Sequence, residues 1–414
     1  MNILLPTIGS AGDVFPMIAL GRTLRQRGHH VTVLAGALHE ETIRAASLHF
    51  HTLGTRAEVE ALMANPDLWH PRRGFETIAR GAVLPAMRPL YEFIAAQDPS
   101  HTVVAAQSLA LGARLAHEKL GFPLATIHLQ PSLIRSEYDA PINGVAIPNW
   151  LPRPLKRVWW LMVDRLAIDP VLADDVNAFR AELRLPPVQR LFHEWLHAPQ
   201  RVLGLFPDWF APPQPDWPPQ TRLTGFPLYD AGEGRPLPPD LRRFLGAGEP
   251  PLVFTYGSAM QHGAELFTAA VAATQQLGRR AVLLTKDKSQ LPHPLPQSVH
   301  HQPYVPLTDL LPHAALLSHH GGMGTLAQGL AAAVPHLVLP LSHDQPDNAR
   351  RLQRLGVGHS LSPSRLQPAA MARAIDSLLS AGDVQARCRA LAARVDAQQA
   401  REAAATCIEE LQTI

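Results

Sequence analysis

Cysteine is nearly absent from this chain, since Cys388 and Cys407 are its only two among 414 residues. Two cysteines cannot build a disulfide scaffold or a cysteine-based zinc site. An excess of one charge is also missing: 37 Lys and Arg against 35 Asp and Glu leave +2, so no electrostatic footprint for nucleic acid is present. No apolar run reaches the ~18 residues of a membrane span, and the start lacks a secretory signal. We therefore expect a cytoplasmic enzyme.

Proline, by contrast, is abundant, with 40 residues in a chain that is 46% hydrophobic and 17% charged. This composition is typical of a globular protein, and the length predicts two large domains. Prolines are densest between Pro207 and Pro251, where a buried sheet or a regular helix is not expected. We interpret this stretch as a linker. The predicted domains are residues 1–215 and 216–414, with the linker inside 216–250.

The first half begins with a strand–loop–helix–strand pattern. Asn2 to Ile8 is an apolar run suited to a buried strand, and Gly9 to Phe15 is predicted to be a loop. A helix is predicted from Pro16 until Gly28, and His30 to Ala35 is the next strand. This unit indicates a parallel sheet whose binding crevice lies at the carboxyl ends of the strands. Further apolar runs occupy residues 103–106, 124–128 and 202–206.

The second half repeats this pattern. Its first strand, in PLVFTYGSA, ends in a Gly–Ser loop, and further candidate strands are residues 281–285, 314–318 and 336–339. The sequence thus predicts an α/β protein of two doubly wound domains that face each other across a cleft. Two facing crevices suit an enzyme that brings two substrates together.

The segment HHGGMGT carries the clearest chemical signal. A buried strand precedes it, and a helix of small residues follows. Glycines let the backbone approach an anion, and the first amides of a helix are unpaired donors with partial positive charge. We predict a pyrophosphate site at Gly322, Met323, Gly324 and Thr325, with a further hydrogen bond from His319. The alternative is a tight turn whose glycines only permit packing.

The motif HDQPDNA follows the next strand, so its side chains should face the same crevice. Asp344 and Gln345 offer hydrogen-bond acceptors and donors side by side, as recognition of sugar hydroxyls requires. Helix capping by Asp344 or Asp347 explains these residues equally well when the motif is taken alone.

Together these blocks resemble the family 1 nucleotide-sugar glycosyltransferases, which have two Rossmann-like domains in the GT-B fold. HHGGMGT and HDQPDNA look like their donor-site signature, and GSAGDVFPMIALGRTLRQRGHHV resembles the N-terminal signature of bacterial members. LGARLAHEKLGFP, LFPDWFAPPQPDWP and TGFPLYD are more specific and resemble the rhamnosyltransferases of rhamnolipid biosynthesis. Those enzymes transfer L-rhamnose from its thymidine diphosphate to a 3-(3-hydroxyalkanoyloxy)alkanoic acid. The similar blocks extend over most of the sequence.

The resemblance implies roles for the donor-site residues. His319 matches the family histidine that binds the donor diphosphate, and Asp344 and Gln345 match the pair that holds the donor sugar. Gly257 and Ser258 match a loop near the phosphates and the reacting carbon. No cofactor is implied, because the nucleotide sugar is a substrate.

Recognition of the base is assigned to PYVPLTDLL. Tyr304 stands where plant relatives stack a Trp on the base, Val305 would contact the base through its backbone, and Leu307 replaces the usual Gln. Plant relatives that use uridine donors have a Glu eight positions after the histidine, where it accepts the ribose hydroxyls. That position is Ala327 here, with the neutral Gln328 beside it, which predicts a preference for thymidine over uridine diphosphate.

Asp13, in GSAGDV, matches the catalytic base of the bacterial members. An acceptor hydroxyl that attacks an anomeric carbon must lose a proton, and a carboxylate at the mouth of the first crevice can take it. The alternative is that Asp13 only caps the following helix. Plant relatives support their catalytic His with an acid after a later strand, but VVAAQS has none here, so that dyad is not implied.

The resemblance predicts an inverting transferase whose first domain binds the acceptor and whose second binds a dTDP- or UDP-sugar. The acceptor is expected to be a hydroxyalkanoyloxyalkanoate lipid. The runner-up is a glucosyltransferase that uses a UDP-sugar and acts on a sterol, polyketide or other apolar alcohol. Association with the enzyme that makes the acceptor, or with the inner membrane surface, stays open.

Other classes of function are less consistent with the sequence. A nicotinamide-dependent oxidoreductase would need G-x-G-x-x-G after its first strand and an acid at the end of the second, but the chain has GSAG and VLAG. A non-catalytic binding subunit is disfavoured by the presence of Asp13, His319, Asp344 and Gln345. The histidines lack ligand spacing with a carboxylate, so no metal is predicted.

Two further segments have open interpretations. LKRVWWLMVDRL, Leu155 to Leu166, is compatible with a helix lining a pocket or lid, with membrane contact, or with plain core. Residues 72–94 combine apolar and basic side chains, which suits a groove for an acidic acyl chain or an ordinary amphipathic helical pair. The groove residues would be Phe75, Ile78, Val83, Met87 and Leu90, with Arg72, Arg73, Arg80 and Arg88 between them.

Overall fold

The computed structural model describes residues 1–142, 147–148, 150–232, 234–257, 263–363 and 366–413. The chain divides into two compact units, Met1–Pro227 with Ala397–Ile414, and Leu228–Asp396. The predicted division into 1–215 and 216–414 differs from this at two places. The segment after residue 215 packs with the first unit, and the C-terminal segment returns to it.

The first unit is built on a parallel sheet with strand order β3-β2-β1-β4-β5-β6-β7. Its strands are β1 (Asn2–Pro6), β2 (His30–Ala35), β3 (His49–Thr52), β4 (Thr102–Gln107), β5 (Leu124–His128), β6 (Arg201–Gly204) and β7 (Thr221–Leu223). Its helices before the second unit are α1 (Ala11–Gln26), α2 (Glu40–Ala45), α3 (Arg56–Ala64), α4 (Gly74–Ile78), α5 (Leu84–Ala95), α6 (Leu111–Leu120), α7 (Arg153–Val163) and α8 (Asp169–Glu182). A π-helical turn joins α4 to α5, and another joins α7 to α8.

The second unit is built on a parallel sheet with strand order β10-β9-β8-β11-β12-β13. Its strands are β8 (Leu252–Thr255), β9 (Ala281–Leu284), β10 (Val299–Gln302), β11 (Leu316–His319), β12 (His336–Val338) and β13 (Gly358–Ser360). Its helices are α9 (Pro239–Gly246), α10 (Ala264–Gln276), α11 (Leu307–Leu310), α12 (Met323–Ala331), α13 (Gln345–Arg354), α14 (Pro368–Ser380) and α15 (Gly382–Ala392).

The last helix, α16 (Ala397–Glu409), packs against α1 of the first unit. Its Glu402 and Glu409 form ion pairs with Arg27, and Glu409 also lies 2.7 Å from His29 Nε2. These contacts join residues more than 370 positions apart in sequence. A local sequence pattern carries no information about such a pairing, so the return of the chain was not predicted.

Helix α1 begins earlier than the sequence predicts. The expected loop from Gly9 to Phe15 is helical from Ala11, and Pro16 lies inside the helix rather than at its start. The cause is the capping of the first turn by Ser10 and Asp13, which supply partners for backbone groups that a helix start leaves unpaired. This change places Asp13 in the first turn of α1 instead of in a loop.

The proline-rich stretch is more ordered than a linker would be. Strand β7 adds to the edge of the first sheet, and Phe210, Trp217 and Phe226 are buried in the first unit. Helix α9 begins with Pro239, a position where the missing N–H costs nothing. Among the described helices, none combines the length and apolar character needed to cross a bilayer.

Candidate functional site

The predicted donor site lies at the switch point of the second sheet. Strand β8 has β9 on one side and β11 on the other, and parallel α/β sheets bind ligands beyond the carboxyl ends of strands at such a point. Thr255 at the end of β8 pairs in register with His319 at the end of β11. Gly257 and the HHGGMGT segment therefore follow adjacent strand ends. Ser258, assigned to the same loop, lies outside the described residues.

The glycine-rich segment forms the N-terminus of α12, as predicted. Gly322 is the residue before the helix, and Met323, Gly324 and Thr325 form its first turn. These four residues are partly exposed, and a Cβ added at Gly324 would meet only open space. Their backbone N–H groups come before the first intrahelical bond, from Leu326 N to the Gly322 carbonyl. The geometry is that of an anion cradle.

His319 does not face this cradle. Its side chain is fully buried, and Gly321 N–H donates to its Nδ1 over 3.1 Å. The proton therefore lies on Nε2, which is 3.1 Å from His336 Nδ1 and donates to it. Burial, together with the neighbouring His336 and His320, holds the pKa of His319 well below its usual value. Both ring nitrogens of His319 have partners inside the protein, so neither is left to bind a diphosphate in this structure.

His320 is the histidine that borders the cradle. The residue is partly exposed, and its ring lies between two glycines: a Cβ at Gly257, whose φ is +90°, would be 2.8 Å from His320 Cε1, and one at Gly322 would be 2.4 Å from Nε2. His320 Nδ1 has no hydrogen-bond partner within the described part of the chain. Burial lowers the pKa of His320 to about 4, so the ring is neutral at pH 7 and can donate one hydrogen bond.

In this structure it is therefore His320, one position after the predicted His319, that borders the predicted phosphate site. Consecutive side chains of a strand point to opposite faces, so only one of two adjacent histidines at a strand end can reach the crevice. The sequence signal for His320 is the pair of adjacent histidines. The structure adds that His319 is the last residue of β11.

Asp344 and Gln345 occupy different environments. Asp344 is partly exposed at the start of α13, and its Oδ2 accepts a 2.7 Å hydrogen bond from Asn348 Nδ2. Gln345 is buried, and its Oε1 accepts from the backbone N–H groups of Leu341 and Ser342. Asp344, the residue before α13, is thus partly exposed, whereas the side-chain carbonyl oxygen of Gln345 holds the preceding loop. The capping alternative for Asp347 is replaced by ion pairs with Arg350 and Arg351.

The loop before Asp344 is strained. His343 has a φ of +58°, a left-handed conformation that costs a non-glycine residue free energy. The side chain of Gln345 holds this loop by accepting hydrogen bonds from the backbone N–H groups of residues 341 and 342.

The predicted base platform, Tyr304, has an exposed ring and a fixed hydroxyl. Its Oη lies 2.7 Å from Asp230 Oδ1 and 2.8 Å from the carbonyl oxygen of Ala231. Asp230 Oδ2 accepts the backbone N–H groups of Leu307 and Thr308 at the start of α11. The Val305 side chain is buried in the core of the unit. Asp230 belongs to TGFPLYD and had no assigned role.

The position at which plant relatives carry the ribose-binding Glu holds a neutral residue here, whether eight residues are counted from His319 or from His320. Ala327 is buried and eight positions after His319, while Gln328 is eight positions after His320. Gln328 Oε1 accepts a hydrogen bond from Thr308 Oγ1 over 3.3 Å, and its Nε2 lies 3.5 Å from the Tyr229 carbonyl. No carboxylate stands at either position.

In the first unit, Asp13 acts in the helix cap and remains usable as a base. Ser10 N and Ser10 Oγ donate to Asp13 Oδ2 over 2.8 and 3.3 Å, so the described bonds to the carboxylate fall on one oxygen. A Cβ at Gly9, whose φ is +141°, would lie 2.2 Å from Oδ2, so the loop needs glycine there. Burial raises the pKa of Asp13 to about 6 despite the bonds from Ser10, which is close to what a general base near neutral pH requires.

Two further polar groups lie near the same strand ends. Ser108 follows β4, the neighbour of β1, and its buried Oγ has no hydrogen-bond partner among the described residues. His39 Nε2 lies 3.4 Å from the Gly9 carbonyl, in the loop that leads to Asp13. Ser108 belongs to VVAAQS, the segment without an acid, and an isolated Ser carries no sequence signal for a site.

The predicted acyl groove is not formed by residues 72–94. Val83, Met87 and Leu90 are buried in the core of the first unit, and Phe75 and Ile78 pack against it. Arg73, Arg80 and Arg88 form ion pairs with Asp67, Glu76 and Glu182 on the surface. The amphipathic alternative describes this segment correctly, because its apolar face completes the core.

Comparison with known proteins gives matches along most of the chain. Residues 3–138 match the model of the glycosyltransferase family 28 N-terminal domain. Residues 272–411 match that of the erythromycin biosynthesis protein CIII-like C-terminal domain.

Two curated relatives align over most of their length. The O-mycaminosyltylonolide 6-deoxyallosyltransferase of Streptomyces fradiae is 29% identical, over 99% of this chain and 97% of that protein. Glycosyltransferase GtfE of Amycolatopsis orientalis is 31% identical, over 86% of this chain and 85% of that protein.

Solved structures show the same fold. The glycosyltransferase of kitacinnamycin superposes with a TM-score of 0.75 at 21% identity, covering 99% of this chain and 98% of that one. Glycosyltransferase SsfS6 of Streptomyces sp. SF2575, complexed with thymidine diphosphate, has a TM-score of 0.61 at 21% identity and 95% coverage of both chains. The predicted α/β architecture of two Rossmann-like, parallel-sheet domains is confirmed.

Proposed function

The chain belongs to the family of GT-B nucleotide-sugar glycosyltransferases that includes GtfE, and on that premise we propose that it transfers L-rhamnose from dTDP-L-rhamnose to a 3-(3-hydroxyalkanoyloxy)alkanoate. In this proposal the second unit binds the donor and the first unit binds the acceptor. The anion cradle at the N-terminus of α12, bordered by His320, is the observation that carries the donor half.

The donor is held through its diphosphate. The N–H groups of the first turn of α12 and the neutral His320 ring donate hydrogen bonds to phosphate oxygens, and the helix dipole adds a favourable field. Negative charge on these oxygens grows as the bond to the sugar breaks, so fixed donors stabilise the transition state more than the ground state. Asp344 accepts hydrogen bonds from sugar hydroxyls.

The acceptor is activated by Asp13. As the acceptor oxygen bonds to the anomeric carbon, its proton passes to Asp13 Oδ1, and the bond from that carbon to the phosphate oxygen breaks. The nucleoside diphosphate leaves with the bonding electron pair. Attack opposite to the leaving group inverts the configuration. A pKa of about 6 keeps Asp13 mostly ionised at pH 7 and able to accept the proton.

The choice of rhamnose and of a lipid acceptor has separate support. LGARLAHEKLGFP, LFPDWFAPPQPDWP and TGFPLYD resemble the rhamnosyltransferases of rhamnolipid biosynthesis. The neutral residues at the ribose position suit a thymidine donor, which lacks the 2′-hydroxyl. Because such an acceptor is apolar, the enzyme would act in the cytoplasm beside the inner membrane.

A second candidate is glycosylation of a rigid apolar alcohol such as a polyketide or sterol. It is favoured by the relative whose name gives O-mycaminosyltylonolide as its acceptor, which aligns with 99% of this chain.

The two candidates are separated by one assay matrix. Purified enzyme is incubated with dTDP-L-rhamnose, dTDP-glucose or UDP-glucose, each with a hydroxyalkanoyloxyalkanoate or with a polyketide or sterol alcohol, and products are identified by mass spectrometry. The proposal expects product only with dTDP-L-rhamnose and the lipid. Turnover of a rigid alcohol without turnover of the lipid would replace it by the second candidate.

A further inference from the structure

One helical surface of the first unit exposes a stripe of large apolar side chains. Leu155, Val158, Met162 and Leu166 are each at least 48% exposed. They are spaced by three, four and four residues along α7 and the π-helical turn that follows it, so they share one face. We name these four residues the α7 stripe.

The opposite face fixes the orientation of this helix. Lys156, Trp160, Asp164 and Ile168 are buried and recur every four residues. Asp164 forms an ion pair with Arg135, whose guanidinium lies 4.9 Å from the centre of the Trp160 ring. Rotating the helix to bury the α7 stripe would expose Trp160 and break this buried ion pair, which is strongly destabilising when one partner is lost. The apolar stripe is therefore held outward.

The exposed charged side chains on the helical segment that carries the stripe are basic. From Arg153 to Leu166 the exposed charged side chains are Arg153, Arg157 and Arg165, whereas the acid Asp164 is buried. Arg157 pairs with Glu137, and Arg153 stacks over the exposed ring of Tyr138 at 4.8 Å. The charge of Arg157 is balanced by Glu137, so Arg153 and Arg165 supply the positive charge at the two ends of the stripe.

We propose that the α7 stripe docks on the surface of an anionic phospholipid bilayer. The helix would lie in the plane of the interface, with the four apolar side chains among the acyl chains and the arginines at the lipid phosphates. Tyr138 would lie at the headgroup level, where amphipathic aromatic rings are favoured. The proposal does not depend on which sugar or acceptor the enzyme uses, although it would bring the first unit close to an acyl-chain substrate.

The test is co-sedimentation of the full-length protein with vesicles. Phosphatidylglycerol–phosphatidylethanolamine vesicles are compared with pure phosphatidylcholine vesicles at low and high salt. The wild-type protein is expected to bind the anionic vesicles at least tenfold more tightly, and to bind them more weakly at high salt because charge attraction is screened. The double variant Met162→Gln, Leu166→Gln should lose at least tenfold in vesicle affinity.

The control is Leu120→Gln, which changes an exposed leucine at the end of α6 and should bind vesicles as the wild type does. Melting temperature and turnover with a water-soluble short-chain acceptor should be unchanged in all variants, because these side chains are on the surface. Absence of wild-type binding to anionic vesicles, or equal binding by the double variant, would overturn the proposal. Loss of a wild-type dimer in the double variant, without any vesicle binding, would assign the stripe to a second copy of the protein instead.

Discussion

Tyr304 and Asp230 are joined by a 2.7 Å hydrogen bond, from the phenol Oη to the carboxylate Oδ1. The same carboxylate accepts the first N–H groups of α11, at Leu307 and Thr308. Asp230 thus fixes the ring of the predicted base platform and the backbone beside it with one side chain. Only the flat face of Tyr304 is needed for stacking, so Asp230 acts through Tyr304 as a positioning residue.

This relationship predicts a graded effect on donor binding. Tyr304→Ala should raise the KM for the nucleotide sugar roughly tenfold or more, because stacking of a base on an aromatic ring contributes about 1–3 kcal/mol. Tyr304→Phe keeps the ring and should raise KM only a few-fold. Asp230→Ala should resemble Tyr304→Ala more than Tyr304→Phe, with kcat nearly unchanged. Steady-state kinetics with varied donor check this, and a fall in kcat without a change in KM would contradict it.

The two adjacent histidines predict opposite phenotypes. His320→Ala should weaken binding of thymidine diphosphate by roughly ten- to a hundredfold, since a hydrogen bond to a charged group contributes about 1.5–3 kcal/mol. Its melting temperature should stay close to that of the wild type. His320→Gln, which keeps a donor, should recover part of the affinity.

His319→Ala is the matched control, one position away. It removes a buried ring and leaves His336 Nδ1 without its donor, so it should lower the free energy of unfolding by about 1–3 kcal/mol. Calorimetry with thymidine diphosphate and thermal unfolding of both variants distinguish the roles. If His319→Ala lost affinity at unchanged stability while His320→Ala did not, the assignment to His320 would be wrong.

His319 and His320 show which features of the site can be predicted from the sequence and which cannot. The strand, the glycine turn and the helix around them were predicted to within about two residues, because apolar periodicity and glycine placement are local signals. Which of two adjacent side chains faces the crevice depends on the end point of β11, which local pattern leaves uncertain by a residue. The prediction of an acyl groove at residues 75–90 was wrong for another reason. An apolar helix face has the same sequence pattern whether it lines a groove or completes a core.

Asp13→Asn should lower kcat by about 10²–10⁴-fold, because the amide cannot accept the proton of the acceptor hydroxyl. Binding of thymidine diphosphate should be unchanged, since the donor cradle belongs to the other unit. The melting temperature at pH 7 should be no lower than that of the wild type, because burial already disfavours the charged form of this side chain. Near-normal turnover with intact donor binding would remove Asp13 from the mechanism.

The same residue sets an expected pH dependence. The base must be ionised, and burial raises the pKa of Asp13 to about 6 in the folded protein. The value of kcat/KM should therefore be level above about pH 7 and fall as the pH drops through 6, approaching tenfold per pH unit below it. The residual activity of Asp13→Asn should lack this step, which a pH profile of both proteins measures.

Nucleotide preference follows from the neutral ribose position. Thymidine diphosphate should bind more tightly than uridine diphosphate, because neither Ala327 nor Gln328 offers a carboxylate that would accept a hydrogen bond from the 2′-hydroxyl of uridine. Gln328→Glu replaces the amide by a carboxylate, a stronger acceptor for ribose hydroxyls, and should improve uridine diphosphate binding relative to thymidine diphosphate. Gln328→Ala is the control for the loss of the bond to Thr308. Competition calorimetry checks the order, and tighter binding of uridine diphosphate by the wild type would favour a UDP-sugar donor.

Acceptor chain length gives the last prediction. Each buried CH₂ contributes about 0.8 kcal/mol, or roughly a fourfold gain in affinity, so kcat/KM for hydroxyalkanoyloxyalkanoates should climb with chain length until the apolar site is full. The KM for dTDP-L-rhamnose should stay constant along the series. Since Met87 lies in the core and Arg88 pairs with Glu182, Met87→Ala should lower stability and Arg88→Gln should change little, and neither should alter the dependence on chain length. A flat series, alongside turnover of a rigid polyketide or sterol alcohol, would retire the lipid acceptor and leave the glycosyltransferase assignment in place.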